Sequence, residues 1–370
     1  MSNNKVNIID DNISHLFLKI AIPSSVGTVF MTLFNVVDTF FAGKISPNAL
    51  AALAQTFPVY FIIIALGVGL SIGTTSLMAN ALGEKNDKKS SYYFAQSLFL
   101  AILTSIIVTF LGIYLGPSII LLMNDNYETM LLSMDYLNII FMGSIFVFIQ
   151  MAVNSSLTAI GETKPYRNIL IVSFFLNILL NPIFIFGYGI IPPMGMQGLA
   201  ISTIISQGLG TIYIIFKFTK TDLSKYLNLN DFKPEIKILT DLLKQGIPAA
   251  IGMMMISVGV FIILFFISQY GDLALAGYGT AIRYEQLFLL PVLGLNTAVL
   301  SMVGQNYGAK KILRVDEIYN KALMFGCTFM FVSGFVIFFT AEFAVSLFTN
   351  DLEVIMFGTK YLKITSLMAP

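Results

Sequence analysis

One aspartate, Asp38, lies inside the first long apolar stretch of the sequence. It follows Asn35 at a spacing of three, and no other charged residue stands between Lys19 and Lys44. An ionised carboxylate at the centre of a membrane helix costs roughly 2.5 to 3.5 kcal/mol on insertion scales, so such a residue usually faces a bundle interior or a watered cavity. Asp38 is therefore predicted to serve a function. The alternative is a position near the outer helix end, where water or a capping role would satisfy the carboxylate.

Two asparagines, Asn177 and Asn181, precede Pro182 in a later apolar stretch. Their spacing of four puts them on one helix face, one turn apart. Pro182 removes a helical hydrogen bond and frees a backbone carbonyl one turn earlier. Together with the hydroxyl of Thr203, and with the amide of Asn35 and the carboxylate of Asp38, these groups are predicted to offer hard oxygen ligands suited to Na⁺. The alternative use of the same groups is a hydrogen-bonded cage that could hold Asp38 protonated. The alternative is that they only join helices, at about 0.6 kcal/mol per contact.

A further set of candidate residues belongs to the second half of the chain. Arg283 lies well inside an apolar stretch, and Glu285 follows it by two positions. Residues two apart do not face each other on a helix, so each is expected to have another partner. Glu285 is predicted to meet a cationic substrate, and a structural ion pair across helices is the alternative. Met255 ends a run of three methionines that offers either an adaptable surface for varied ligands or an ordinary core or lipid-facing position.

The composition is that of an integral membrane protein. Of 370 residues, 56% are hydrophobic and 11% are charged, whereas soluble domains carry about 25% charged residues. A net charge of +1 offers no basic surface for nucleic acid. One Cys and one His exclude an intrachain disulfide and disfavour Zn, iron–sulfur and haem sites. No cofactor is expected, and the expected partners are the lipid bilayer and a small organic molecule.

Apolar stretches long enough to cross a hydrocarbon core of about 30 Å recur along the whole chain. Their order predicts helices at 15–43, 49–82, 91–116, 128–160, 166–190, 196–219, 238–270, 274–306, 315–348 and a tenth beginning near 354. Of the 21 Lys and Arg residues, 17 fall on one side of the resulting alternating path. Since cytoplasmic connections collect basic residues, this distribution predicts a cytoplasmic N-terminus.

An internal repeat runs through the chain at an offset of 225 residues. The segment Ile22-Pro23-Ser24-Ser25-Val26-Gly27 recurs as Ile247-Pro248-Ala249-Ala250-Ile251-Gly252, and Gly69-Leu70 recurs as Gly294-Leu295. Six-helix units that enter the membrane from the same side are related by an axis along the membrane normal. The predicted fold is therefore an all-α membrane protein with two six-helix lobes related by a pseudo-twofold axis.

The repeat also predicts the domain organisation. An N-lobe of helices one to six is expected at 1–218, a cytoplasmic linker at 219–237, and a C-lobe with helices seven to nine and the start of a tenth at 238–370. Pro370 corresponds to Ile145, in the middle of the fourth helix of the first lobe. The second lobe is therefore expected to be truncated here, with roughly eighty residues beyond this sequence.

Four motifs, in this order and spacing, resemble the MATE (multidrug and toxic compound extrusion) family. They are Asn35-x-x-Asp38, Leu176-Asn-x-x-x-Asn-Pro182, Gly198-Leu-Ala-Ile-Ser-Thr203 and Gly304-Gln-Asn-Tyr-Gly-Ala309, within a match from about residue 15 to the end. The resemblance to the DNA-damage-inducible branch implies a cation site of Asp38, Asn177, Asn181 and Thr203. Asn181 stands where the family pattern has Asp, so a proton shared by two carboxylates is not available. Na⁺ coupling and a proton carried by Asp38 alone both stay open.

The resemblance implies a transporter rather than an enzyme. Its expected activity is export of lipophilic, cationic organic compounds in exchange for Na⁺ or H⁺, by alternating access of two lobes. The expected location is the bacterial cytoplasmic membrane, which the chain crosses many times as a monomer. A lipid-linked oligosaccharide flippase of the same superfamily is the alternative, although it needs a broad basic cavity and Arg283 alone is thin support. An intramembrane enzyme or a receptor is the alternative from another class, and the enzyme would need paired catalytic groups at membrane depth.

Overall fold

A computed structural model describes residues 7–123, 127–349 and 351–368. All ten predicted helices are present in these ranges, and the fold is all-α as predicted. The helices are α1 (Ile13–Ile45), α2 (Pro47–Gly83), α3 (Asp87–Met123), α4 (Tyr127–Ala159), α5 (Lys164–Phe186), α6 (Gly195–Phe218), α7 (Ile236–Ser268), α8 (Asp272–Gly308), α9 (Ile312–Ser346) and α10 (Leu352–Met368). Within the described ranges, nine of them, α1 to α9, are long and apolar enough to cross a membrane.

Short polar residues set the starts of the first two helices. The side chain of Asn12 accepts hydrogen bonds from the backbone N–H groups of Ser14 at 3.0 Å and His15 at 3.3 Å, which caps α1. Ser46 caps α2 in the same way, and Pro47 occupies the first helical position, where its missing N–H is not needed.

Two helix ends differ from the predicted ones. Helix α3 continues through Pro117 to Met123, although the Gly116-Pro117 pair predicts a break. Inside a bilayer no water satisfies free backbone groups, so a helix is favoured even through proline. Helix α5 ends at Phe186, before its predicted end, because Gly187 adopts a φ of 82° that stops the helix. A turn closed by an isolated bridge between Tyr188 and Ile191 follows.

The helices pack as two bundles. Helices α1 to α6 form the first, which we call the N-lobe, and α4 lies at its centre with most of its residues buried. We call α7 to α10 the C-lobe; α8, α9 and α10 pack against one another, whereas α7 packs mainly on α2 of the N-lobe. Two short 3₁₀ turns, Asp222–Tyr226 and Leu229–Phe232, lie in the connection between α6 and α7. The precise lobe boundaries stay a prediction, and Pro370, on which the expected continuation of the second lobe rests, lies outside the described residues.

The internal repeat is present in the backbone. Helices α2 and α8 both begin and end 225 positions apart, and α3 and α9 begin at the same offset. Lys85 and Lys310, also 225 positions apart, share a positive φ of 58° and 59°. Non-glycine residues rarely adopt this conformation, so its recurrence shows that the two halves use the same turn after equivalent helices.

Glycine contacts join the lobes in symmetry-related pairs. A Cβ on Gly69 of α2 would lie 2.5 Å from the carbonyl oxygen of Gly246 on α7, and a Cβ on Gly294 of α8 would lie 2.6 Å from that of Ala21 on α1. Gly294 and Gly246 are the 225-residue equivalents of Gly69 and Ala21. The same contact thus occurs twice with the partners exchanged, as a twofold axis requires. Side chains at these positions would force the helices apart.

The hydrogen bonds that join the lobes cluster at one end of the molecule, next to the connections that hold most of the lysines. We call this the lysine-rich end. There the Ser24 hydroxyl donates to the Thr297 hydroxyl at 3.2 Å, and Gln305 Nε2 donates to the Ala159 carbonyl at 2.7 Å. The segment before α1 also contributes, because Lys311 Nζ lies 2.7 Å from Asp10 Oδ1.

Candidate ion-binding site

Helix α5 presents its two asparagines on one buried face, as their spacing predicts. Its buried residues include a series at intervals of four: Ile169, Ser173, Asn177, Asn181 and Ile185. This face packs on α1, where Gly27 permits the close approach. A Cβ at Gly27 would lie 3.1 Å from Leu170 Cδ1 and 3.3 Å from Arg167 Cα. The contact brings the first apolar stretch of the sequence against the fifth.

Asp38 lies at the centre of a buried polar cluster and is only 5% exposed. Asn177 Nδ2 donates a hydrogen bond to Asp38 Oδ1 at 2.9 Å, and Asn181 Nδ2 donates to the same oxygen at 3.1 Å. Thr203 Oγ1 donates to Asp38 Oδ2 at 3.3 Å. Helices α1, α5 and α6 thus bring together four of the residues that the sequence predicts as a cation site. The side chains of Asn177 and Asn181 are fully buried.

A second layer of hydrogen bonds holds the two asparagines. Asn181 Nδ2 donates to Asn177 Oδ1 at 2.9 Å, and the Ser202 hydroxyl donates to Asn181 Oδ1. Ser202 is absent from the sequence prediction. Its signal was its place directly before Thr203 in a helix rich in small residues, since a second hydroxyl there reaches the neighbouring face of α6.

Two tyrosines extend the cluster into the core of the N-lobe. The phenols of Tyr60 on α2 and Tyr136 on α4 lie close enough to Asp38 to interact with its charge. Both rings pack in the hydrophobic core of the N-lobe. Sequence reasoning missed them, because a tyrosine in an apolar helix is common and its spacing here carries no signal.

The oxygen atoms of this cluster suit a small hard cation or a proton. One carboxylate, two amides and two hydroxyls supply oxygen atoms, the ligands that hard cations prefer. All three direct neighbours of Asp38 donate to it, which fits an ionised carboxylate. A half-turn of each asparagine amide would present its oxygen instead of its N–H groups to a cation. In the described part of the chain, His, Cys, Asp and Glu side chains form no group of three that could hold a metal ion.

Asn35 was predicted in this cluster, but its side chain is exposed. Among the hydrogen bonds of the described residues, Asp38 receives none from the Asn35 side chain. The hydrogen bond given for Asn35 is made by its backbone carbonyl, which accepts from the Thr39 hydroxyl at 2.9 Å. Three residues along a helix rotate a side chain to about 60° from its starting direction. Asp38 faces the lobe interior, and this rotation is enough to place Asn35 at the exposed edge of the buried face.

The remaining predicted residues lie in the C-lobe, apart from the Asp38 cluster. Arg283 is exposed on α8, and Met255 on α7 is 59% exposed. Glu285 is half-buried, and its carboxylate interacts with Tyr361 of α10. Its Oε2 atom is buried, with no hydrogen-bond partner in the described ranges. The structure therefore gives two separate polar places, one in each lobe.

Comparisons with known proteins agree with this architecture. The model of the MatE family matches residues 23–183 and 248–370, two blocks that begin 225 positions apart. "Multidrug export protein MepA" of Staphylococcus aureus strain MSSA476 is 27% identical over 347 residues, which cover 93% of this chain and 76% of that protein. "Probable multidrug resistance protein NorM" of Thermotoga maritima is 29% identical over 353 residues, covering 95% and 75%.

The fold is also that of solved transporter structures. One is described as the outward-facing conformation of a multidrug resistance MATE family transporter of the MOP superfamily. It matches with a TM-score of 0.90 and 24% identity, and the match covers 100% of this chain and 82% of that one.

Proposed function

Because the chain belongs to the MatE family, we propose that it is a secondary active antiporter that exports lipophilic, cationic organic compounds in exchange for Na⁺ or H⁺. The observation that carries the proposal is the buried Asp38 cluster, where one carboxylate and neutral oxygen donors match a single monovalent cation. The names of the relatives MepA and NorM, which describe multidrug export and multidrug resistance, support the substrate class.

The proposed orientation places the lysine-rich end in the cytoplasm of a bacterium, with the chain acting as a monomer in the cytoplasmic membrane. The lobes are joined at this end, so the joined state leaves the cytoplasmic side closed. Alternating access then requires the lobes to separate at the lysine-rich end and to approach at the other.

The Asp38 cluster supplies the driving force in this proposal. A cation that enters from outside neutralises the carboxylate and changes which hydrogen bonds Asn177, Asn181 and Thr203 make. If the cation binds one lobe arrangement better than the other, its binding shifts the equilibrium between them. A membrane potential contributes about 2.3 kcal/mol per elementary charge per 100 mV, so inward movement of one cation can drive export.

The C-lobe offers a place for the substrate. The buried Oε2 of Glu285, which has no hydrogen-bond partner among the described residues, would accept a hydrogen bond from a cationic compound or pair with its charge. Met255 would add adaptable apolar surface, and the exposed Arg283 would repel a second cation. This division assigns the coupling ion to the N-lobe and the substrate to the C-lobe.

The test is efflux of a fluorescent lipophilic cation from vesicles that contain the protein, under an imposed Na⁺ or pH gradient. We expect efflux that follows one of the two gradients, and a loss of at least about tenfold in Asp38→Asn, since a neutral side chain cannot balance the cation. Asp316→Asn, which removes an exposed carboxylate on α9, is the matched control and should transport normally. If the rate of wild-type efflux depended on neither gradient, the antiport proposal would be overturned. If Asp38→Asn transported at the wild-type rate, Asp38 would not belong to the coupling site.

A further inference from the structure

Two adjoining cavities lie in the N-lobe near its lysine-rich end. The first, of about 650 Å³, opens where the connection between α4 and α5 meets the end of α6. The second, of about 410 Å³, is a groove between α5 and α6. Asn168 and Tyr213 line both of them. The two cavities therefore meet at these two residues, and we treat them together as one depression that leads from the helix ends into the membrane-spanning region.

The first cavity carries an excess of uncompensated positive charge. Four basic side chains line it: Lys164, Arg167, Lys217 and Lys220. In the described part of the chain, none of the four forms an ion pair with a carboxylate. Neutral groups contact three of them instead. Lys220 Nζ lies 4.1 Å from the centre of the Phe216 ring. The Arg167 guanidinium donates to Asn168 Oδ1 at 3.1 and 2.8 Å, and Lys217 Nζ lies 5.3 Å from the centre of the Tyr213 ring.

Carboxylates in the same cavity only partly offset this charge. Asp87, Glu162 and Asp222 contribute to its lining. The Asp222 carboxylate is held by Lys225, whose Nζ lies 2.6 Å from it and which does not line the cavity. Four cations therefore face two remaining carboxylates, and the cavity favours a ligand with a negative charge.

The groove between α5 and α6 has the opposite character. It is lined mainly by aliphatic side chains, among them Val172, Leu176 and Leu209. Val172 is 55% exposed and Leu209 is 49% exposed, on helices that are apolar enough to cross a membrane. This groove is therefore open to the hydrocarbon of the bilayer. Its ligand must present an apolar chain directly below a charged group.

We propose that this depression binds one anionic phospholipid of the cytoplasmic leaflet. The phosphate would contact Arg167 and Lys217, with Lys164 and Lys220 around the headgroup, and an acyl chain would lie in the groove between α5 and α6. Basic pockets between helices at the cytoplasmic side are suited to lipid headgroups of this charge. The proposal uses the orientation proposed above and is independent of which compound the protein exports.

The site also touches the other lobe. Gln305 of α8 lines the first cavity, and its side chain donates to the Ala159 carbonyl of the N-lobe at 2.7 Å. A lipid headgroup there would contact both lobes at the end where they are joined. Bound lipid should therefore favour the joined arrangement over the separated one.

Native mass spectrometry of the purified protein in a mild detergent tests the charge requirement. Phosphatidylglycerol and phosphatidylcholine with identical acyl chains are titrated in parallel. We expect one phosphatidylglycerol retained per chain, at least about tenfold tighter than phosphatidylcholine, and a comparable loss of that preference in Arg167→Ala/Lys217→Ala. Lys237→Ala/Lys244→Ala, which removes two exposed charges near the start of α7, is the matched control and should bind as wild type. Equal retention of both lipids, or equal loss in both double variants, would overturn the proposal.

A second pair of variants tests the acyl chain. Val172→Trp fills the groove from an exposed position, so it should reduce retention without a cost in folding. Ile212→Trp, at a position on α6 that is 67% exposed and outside the groove lining, should leave retention unchanged. Glycerol phosphate, which has the headgroup charge but no acyl chains, should not displace the lipid. If glycerol phosphate displaced the lipid at the same concentration at which the lipid binds, the site would be an anion site instead of a lipid site.

Discussion

At the scale of single residues, the Asp38 site consists of a few side chains that are joined to one another by hydrogen bonds. Asp38 accepts from three side chains, and Asn181 is both a donor to Asp38 and an acceptor from Ser202. Because Asn181 stands next to the carboxylate, its identity decides whether the site holds one negative charge or two. In the proposed antiport, one carboxylate would bind a single cation, whereas two adjacent carboxylates could share a proton.

Asn181→Asp should therefore make transport sensitive to pH. Its carboxylate would stand where the amide nitrogen now lies, 3.1 Å from Asp38 Oδ1, and two carboxylates so close share a proton and titrate as a pair. We expect the pH midpoint of gradient-driven efflux to move by about one unit or more relative to wild type. The measurement is efflux rate against pH at constant Na⁺. Asn35→Asp adds a carboxylate at an exposed position on α1, the helix of Asp38, and should keep the wild-type profile. Identical profiles for both variants would contradict the arrangement.

Sequence reasoning found part of this site for a physical reason. Asp38, Asn177, Asn181 and Thr203 stand out because a polar group in an apolar stretch is costly and needs a partner. Asn35 met the same criterion, but α1 is apolar on most of its surface, so the pattern could not show which direction faces the lobe. Tyr60, Tyr136 and Ser202 needed the three-dimensional packing of α2, α4 and α6, which spacing along one helix does not contain.

At the scale of helices, the contacts between lobes depend on backbone meeting backbone. Gly69 and Gly246 pack with no side chain between α2 and α7, and the repeat copies this contact onto α8 and α1. Small residues permit such approach in membranes, where apolar side chains gain little by leaving lipid. The sequence repeat predicted that these helices are equivalent, because it preserves their spacing. It did not predict the ends of α3 and α5, because α3 continues through Pro117 and α5 is stopped by the turn at Gly187.

Gly246→Val should weaken the joining of the lobes. Its Cβ would lie 2.9 Å from the Gly69 carbonyl oxygen, so α2 and α7 must move apart. Overpacking of this kind costs about 1 to 3 kcal/mol and should lower the midpoint of thermal unfolding by several degrees. Circular dichroism of the detergent-solubilised protein measures it. Gly252→Val lies on the same helix with no other atoms within 4 Å of its Cβ and is the control. Equal midpoints for the two variants would show that the contact tolerates a side chain.

At the scale of the whole molecule, the segment before α1 ties the first lobe to the second. Ile8 is buried, Lys311 of the C-lobe pairs with Asp10, and Arg314 donates to the carbonyl of Asp11. The hydrogen bond from Lys311 holds the pKa of the Asp10 carboxyl below its usual value of 3.8, with help from Asn7. The pair is therefore present at and above that pH and is lost as the pH falls through the lowered pKa.

Lys311→Ala should release this segment. We expect hydrogen exchange of the backbone amides at residues 8–11 to be about two- to fivefold faster than in wild type at pH 7, because an exposed ion pair and a hydrogen bond to Ile9 are lost together. Wild-type protection, corrected for the intrinsic rate, should stay constant from pH 7 to 5 and fall only below about pH 4. Lys88→Ala removes an exposed lysine of the same end and should exchange as wild type. If Lys88→Ala speeds exchange equally, the segment is held by overall charge instead.

The contact at Gly69 divides α2 into two arms of unequal length. From Gly69 to the helix end at Gly83 the arm is about 21 Å, and from Gly69 back to Pro47 it is about 33 Å. If the lobes rotate about this contact, a small displacement of α2 at the lysine-rich end is accompanied by a larger displacement at its opposite end. The same ratio holds for α8 by the repeat. In the proposed transport cycle both ends must open in turn, and the width of the opening would change more at the end opposite the lysine-rich end than at the lysine-rich end itself.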